Sequence, residues 1–332
     1  MAALVALTQS DLAAPARRSV RVVAAARLDG VEAAFAELRA NDAASFHDLR
    51  VALRRLRSVL RAFRPELSDT VRGRTRRRLR ALAHATNPIR EAEVVLEWLD
   101  GRGASSSRTE AARVHLVERI EREHALAAAD ARSVLERRLP KVIRKLSTAL
   151  AGYSEEHSID DTGESPTMAV VMNAALLKAV EHFSDAMDRA EASGAARDYH
   201  RVRIAVKRLR YLLELLPRDA STGPILDRLV GIQDALGGAH DRHDAAQRIV
   251  RELGELAAHD GRLAGLRAIE ADGAADEPMR LPRLEPGLVL LAARAHRAER
   301  AAVEAFRAEW DASAIAALSA SVLAVSASLL SA

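Results

Sequence analysis

Cysteine is absent from the 332 residues, so no disulfide framework, thiolate zinc site or thiol nucleophile can form. Aromatic residues make up only 3% of the chain. That is little for the base stacking on which single-strand nucleic-acid readers depend. Lysine is scarce too: four of the 50 basic residues are Lys (Lys141, Lys145, Lys178, Lys207) and 46 are Arg. Strand-type alternation is nearly missing, and Val and Ile do not gather into alternating runs. The opening MAALVALTQSDL lacks a basic leader and its apolar run is short, so no export signal is expected. A cytoplasmic location is the expectation.

What remains is helix-forming material. Hydrophobic residues are 49% of the chain, and Ala alone is about a fifth. Ala, Leu, Arg and Glu all favour helices, and Gly and Pro fall mostly between periodic segments. The spacing predicts helices at 16–39, 45–64, 69–84, 88–100, 105–129 and 130–150, then at 167–192, 198–216, 223–236, 240–258, 287–311 and 313–330. An acidic linker is expected at 152–167, with Glu155, Glu156, Asp160, Asp161 and Glu164, and a second irregular stretch at 267–286. The expected class is all-α, in two helical halves of 15–151 and 168–311. The uncharged tail, 312–332, spaces Ile315, Leu318, Val322, Val325 and Leu329 at three- and four-residue steps. That is one packing stripe, so a docked terminal helix is expected rather than a membrane span.

The informative residues sit in an internal repeat. Residues 46–60 read FHDLRVALRRLRSVL, and residues 199–213 read YHRVRIAVKRLRYLL. At this offset His47, Arg50, Arg55 and Arg57 coincide with His200, Arg203, Arg208 and Arg210, and Arg54 faces Lys207. Ser45 and Asp198 are plausible N-caps, and Pro65 and Pro217 stop each helix. At about 100° per residue, His47, Arg50, Arg54, Arg57 and Arg61 share one face. Leu49, Leu53, Leu56, Leu60 and Phe63 lie opposite. The second helix repeats this, with His200, Arg203, Lys207 and Arg210 against Val202, Val206, Leu209, Leu213 and Leu216. An ordinary surface helix mixes signs, because like charges four apart repel. A wholly cationic stripe suggests an anion bound along it.

An Arg- and Ala-rich composition is what a GC-rich genome produces, but the placement of charge is not. Residues 47–64, 70–80, 199–213 and 132–145 carry +5, +6, +5 and +5. Together these segments hold +21, so a chain of net +4 carries −17 elsewhere. The body is acidic and the basic feature is concentrated. Arg suits phosphate because its planar fork binds two oxygens at once. Duplex readers set Asn, Gln or Arg on base edges, whereas this stripe holds almost only His, Arg and Lys, which disfavours nucleic acid.

No Walker-type loop, GxGxxG, HExxH or nucleophile elbow occurs, so no catalytic residue, cofactor or metal ligand is nominated. His240, Asp241, His243 and Asp244 read as a local loop or helix start rather than a metal site.

At these residues the chain resembles the CHAD family, the conserved histidine α-helical domain. The carriers are HDLRVALRRLRS at 47–58 and HRVRIAVKRLRY at 200–211, with the weaker NPIREAEVVLEWL at 87–99 and LGGAHDRHDAAQRI at 236–249. The resemblance runs from about residue 15 to 311. It implies two helical bundles related by internal duplication, with a basic groove or pore between them. It also implies binding of inorganic polyphosphate without catalysis, at polyphosphate granules, with granule-associated proteins as candidate partners. Carried over, the polyphosphate-binding residues are His47, Arg50, Arg54, Arg57, His200, Arg203, Lys207 and Arg210. Arg55, Arg61, Arg76, Arg80, Arg137, Lys141, Arg144 and Arg208 are added by spacing. Two departures stand out. Glu91 holds a position where the family has Asp, and His240 replaces Arg before Asp241. The rival functions are a metal-dependent phosphoanhydride enzyme and a helical nucleic-acid binder.

Overall fold

Three- and four-residue apolar spacing produces helices throughout the computed structural model, which describes residues 6–40, 46–101, 106–152, 165–270 and 284–331. In chain order they are α1 (Gln9–Ala13), α2 (Ala16–Ala40), α3 (Phe46–Ala62), α4 (Gly73–Ala85), α5 (Asn87–Asp100), α6 (Ser107–Ala151), α7 (Met168–Ser193), α8 (Ala196–Leu213), α9 (Thr222–Glu270), α10 (Glu285–Glu309) and α11 (Ala312–Ser328). Among the described residues there is no strand beyond an isolated bridge between Pro15 and Thr167. The all-α class stands. Ser45, most of the expected acidic linker (153–164) and most of the second irregular stretch (271–283) lie outside the described residues.

Several boundaries differ from those expected. The segments 105–129 and 130–150 form one helix, α6, with Pro140 exposed inside it. Likewise 223–236 and 240–258 are one helix, α9, running through Gly237 and Gly238. Each glycine there costs about 1 kcal/mol relative to Ala, but Leu236, Ala239 and Ala245 are buried on either side and hold the ladder together. His240, Asp241, His243 and Asp244 are therefore mid-helix, not in a loop or at a helix start. Asp198 is not the cap of α8. That position is Ala195, and Asp198 lies inside the first turn, buried, with Ser193 Oγ donating to it at 2.7 Å. Gly194, at φ +61°, ends α7 in the left-handed conformation glycine favours. The short α1 was not expected; Thr8 and Asp11 close its capping box.

The chain divides into two compact units. One comprises Met1–Asn87, Ala128–Leu236 and Phe306–Ala332; the other comprises Pro88–Ala127 and Gly237–Ala305. Each draws on both sequence halves.

In the first unit, α2 packs on α3, α7 on α8, α2 on α7 and α3 on α8, closing a four-helix arrangement. Every residue expected on the apolar faces of α3 and α8 is buried, from Leu49 through Phe63 and from Val202 through Leu216. Burying each such side chain stabilises by roughly 1.5–3 kcal/mol. The tail helix α11 packs on α7 and buries Ile315, Leu318, Val322 and Val325, four of the five stripe residues. Asn173 Nδ2 fastens it by donating to the Ser326 carbonyl at 2.8 Å.

In the second unit, Val95, Trp98 and Leu99 meet Leu116, Ile120, Ile249, Leu288 and Leu291. At Gly287 a Cβ would collide with the Arg108 carbonyl and come within 2.7 Å of the Ala112 Cβ, so glycine lets α10 approach α6. Glu252 is fully buried there. It meets His115 Nε2 at 2.9 Å, Arg119 Nη1 at 2.7 Å and Arg248 Nη1 at 3.0 Å.

Candidate anion-binding site

With its apolar face sealed in the core of the first unit, α3 must point its cations the other way. They do not all do the same work. Arg50 turns to the corner between α4 and α5. Its Nη1 donates to the Thr86 carbonyl, to Thr86 Oγ1 at 2.8 Å and to Asn87 Oδ1 at 3.4 Å. A guanidinium there satisfies a carbonyl at the end of α4 and suits the negative end of that helix. Arg55 Nε and Arg210 Nε lie 3.2 and 3.3 Å from the two carboxylate oxygens of Glu214, and Arg210 also lies over the Tyr211 ring at 5.1 Å. Glu214 thereby ties α3 to the end of α8. These three arginines have protein partners.

Arg54, Arg57 and Arg61 have a different setting. Partial burial lowers the pKa of the Arg57 guanidinium, and the nearby charges of Arg61, Arg80 and Arg54 lower it further. Arg61 is exposed, yet the packing around its base lowers its guanidinium too, followed by the charges of Arg208 and Arg80. The strongest charges acting on both are guanidinium. Five arginines from three helices (α3, α4 and α8) therefore converge within repelling range. Arg76 is similar: burial and then Arg64 lower it, while its Nη2 donates to the Leu67 carbonyl at 3.3 Å. A cleft of about 180 Å³ opens here, lined by Arg57, Arg61, Arg64, Arg76 and Arg80. A larger one, about 490 Å³, is lined by Arg61, Arg80 and Arg208, and by Lys178 and His182 of α7.

Three more of the expected cations, Arg137, Lys141 and Arg144, line other clefts. Arg137 and Lys141 line a cleft of about 380 Å³ with Arg78 and Arg138. Lys141 and Arg144 line another, about 800 Å³, with Arg72 and Lys145. Asp69 enters that one but is held by Arg21 at 3.3 Å and Arg17 at 3.7 Å. His47 is exposed at the start of α3, and His200, Arg203 and Lys207 are half-buried along α8.

Arg64, Lys178 and His182 were not among the nominated residues. Arg64 lies in the turn just past the end of α3, three residues after Arg61, a spacing visible in the sequence. Lys178 and His182 belong to a helix with no motif, and only packing brings them to the cleft. In the second unit, His240 Nε2 pairs with Asp244 at 3.3 Å and His243 Nδ1 with Glu299 at 3.0 Å. Among the described residues, no group of three or more His, Asp or Glu is placed to hold a metal. Nor is any single helix among them long and apolar enough to cross a membrane.

Converging guanidiniums whose strongest neighbours are other guanidiniums raise the local potential until an anion enters. Phosphate oxygens answer the paired donors of each fork. The CHAD domain family model matches residues 22–250. Among solved structures, the chain is similar to the crystal structure of the CHAD domain from the plant Ricinus communis. The TM-score is 0.68, with 22% identity, over 94% of this chain and 96% of that one. It is also similar to PptA from Streptomyces chartreusis, with a TM-score of 0.61 and 16% identity, over 90% of this chain and 99% of that one. No match is found among curated proteins.

Proposed function

Since the chain belongs to the CHAD domain family, which supports a polyphosphate-related role, we propose that it binds inorganic polyphosphate without catalysis. The observation that carries this reading is the convergence of Arg57, Arg61, Arg80 and Arg208 on two clefts that share Arg61 and Arg80 and, among the described residues, have no acidic lining residue. Such a cluster is unfavourable in the free protein and favourable around a polyanion. The stripe from His47 to Arg61 spans roughly 21 Å at about 1.5 Å per residue, which suits a chain of many phosphates. His200, Arg203 and Lys207 extend the surface along α8. Arg50, Arg55 and Arg210 hold the helices that present it. The internal duplication, and a basic groove or pore between its halves, belong to this same reading. Residence in the cytoplasm, recruitment to polyphosphate granules and contact with granule proteins are its cellular extension.

Binding by counterion release has a numerical signature. Taking about 0.7 per contact, as for a single-stranded polyanion, five contacts give a log–log salt slope of about −3.5. A fourfold rise in salt then weakens binding about a hundredfold. Replacing Arg54, Arg57 and Arg61 together by Gln should reduce the slope to about −1.4. Fluorescence polarisation with labelled polyphosphate measures both. An unchanged slope in the folded triple variant would remove these residues from the site. Phosphate release assayed with magnesium or manganese separates this reading from a phosphoanhydride enzyme.

A further inference from the structure

The 490 Å³ cleft does not look built for phosphate alone. Its rim is cationic, with Arg61, Arg80, Lys178 and Arg208 joined by His182, and among the described residues that line it none is acidic. Its wall is apolar: Val59, Ala175, Ala179, Leu212 and Leu215, with Tyr211 beside them. The 800 Å³ cleft differs, with Asp69 and two threonines among its cations, whereas the 380 Å³ cleft sets Arg78, Arg137, Arg138 and Lys141 against Ala81, Leu82, Val134 and Val142 and is the smaller of the two apolar-walled clefts. A bare polyphosphate chain gains nothing from an alanine-rich wall, because every residue of that chain is charged and hydrated. An anion with an apolar body gains both terms. The volume falls in the range of about 300–1,000 Å³ typical of small-molecule sites. Small side chains at Ala175 and Ala179 leave room where an ordinary helix surface would fill it.

We propose that this cleft binds nucleoside triphosphates, with the triphosphate on Arg61, Arg80, Arg208 and Lys178 and the nucleoside against the α7–α8 wall. The flat body rests on apolar surface rather than on base-reading groups. Among the described lining residues there is no Asn, Gln, Asp or Glu to discriminate base edges. The site shares Arg61, Arg80 and Arg208 with the polyphosphate surface, so the two ligands compete. In a cell, nucleotide levels would then set how much of the surface a polyphosphate chain can occupy.

The inference goes beyond polyphosphate binding, and one comparison separates the two. Calorimetric titration of the full chain with ATP and with inorganic triphosphate, at matched salt and without divalent metal, isolates the wall. ATP is expected to bind at least tenfold more tightly. Ala179→Leu should erase that difference while leaving triphosphate and long-chain polyphosphate binding as in the wild type. Retained polyphosphate binding also shows that the variant is folded. Should Ala179→Leu fail to fold, Ala175→Leu serves the same purpose, and Lys178→Ala should weaken ATP severalfold from the exposed rim. ATP binding no tighter than triphosphate, in wild-type protein that binds polyphosphate normally, overturns the proposal. ATP preference in protein that fails to bind polyphosphate would uphold it and overturn the polyphosphate reading instead.

Discussion

Replacing Arg57 by Gln should make the protein more stable and a worse binder at once. Arg57 has Arg54 three residues before it and Arg61 four residues after it, both on its own face of α3. Like-charge pairs at these spacings destabilise a helix by about 0.2–0.5 kcal/mol each. Two of them amount to roughly 0.4–1 kcal/mol, and Arg80 adds repulsion from α4. Gln keeps much of the aliphatic stem in place, so the packing loss is small. In polyanion-free buffer of low salt the variant should therefore melt about 1–4 °C higher than the wild type, scaling at about 2–4 °C per kcal/mol. The gap should close toward 1 M salt, where the Debye length is about 3 Å. Adding polyphosphate should reverse the order, because ligand that binds only the folded state raises stability with its affinity. Thermal melts followed by circular dichroism, with and without polyphosphate at two salt concentrations, provide the full comparison. A variant that melts below the wild type in low salt without polyphosphate would mean that Arg57 is held by an internal partner.

Two further tests concern the framework. Glu252→Gln leaves Arg119 and Arg248 beside a neutral group in the second unit. Arg119 keeps Glu123 and Glu255, and Arg248 keeps Glu123, so the loss is that of charge-assisted hydrogen bonds to a buried group, about 1.5–3 kcal/mol, read by chemical denaturation; no loss at all would contradict the burial seen here. Burial pushes the Glu252 carboxyl up, but hydrogen bonds with His115 and Arg248 and the charge of Arg119 outweigh it, leaving it below 4.5. Its stabilisation is thus present above pH 4.5 and is lost as pH falls through the lowered value. Asp219 starts α9: it accepts from Ser221 N at 2.8 Å and Thr222 N at 2.9 Å. The Ser221 hydroxyl and then these backbone bonds hold its carboxyl down at about 2, from 3.8. Its contribution should persist above pH 3.8 and disappear between 3.8 and about 2, so Asp219→Ala should flatten that part of the stability profile.

Short-range periodicity carried most of the fold. The faces of α3 and α8 followed from counting residues, because a helix with Leu or Val at every third and fourth position has one way to be buried. The tail helix was legible for the same reason. Gly237–Gly238 misled, since a glycine pair signals a break only where packing on either side does not hold the helix together. The site was legible only in outline. The stripe pointed to Arg54, Arg57 and Arg61, yet nothing local distinguishes them from Arg50, Arg55 and Arg210. That distinction depends on Thr86 and Glu214, which are distant in sequence from Arg50 and Arg55. Even Arg210, four residues before Glu214, gives no sign that the carboxylate also serves Arg55 on another helix. Lys178 and His182 reach the cleft through the packing of α7 on α8, which no motif announces.

The most direct test of the central claim is a competition titration. Protein carrying labelled long-chain polyphosphate is challenged with unlabelled polyphosphate, single-stranded RNA and duplex DNA at matched phosphate and salt. A surface of arginine forks whose clefts, among the described residues, are lined by no Asn, Gln, Asp or Glu to read base edges should release its ligand to polyphosphate at concentrations at least tenfold below those of either nucleic acid. Equal competition by all three would contradict the account and leave only a general polyanion binder.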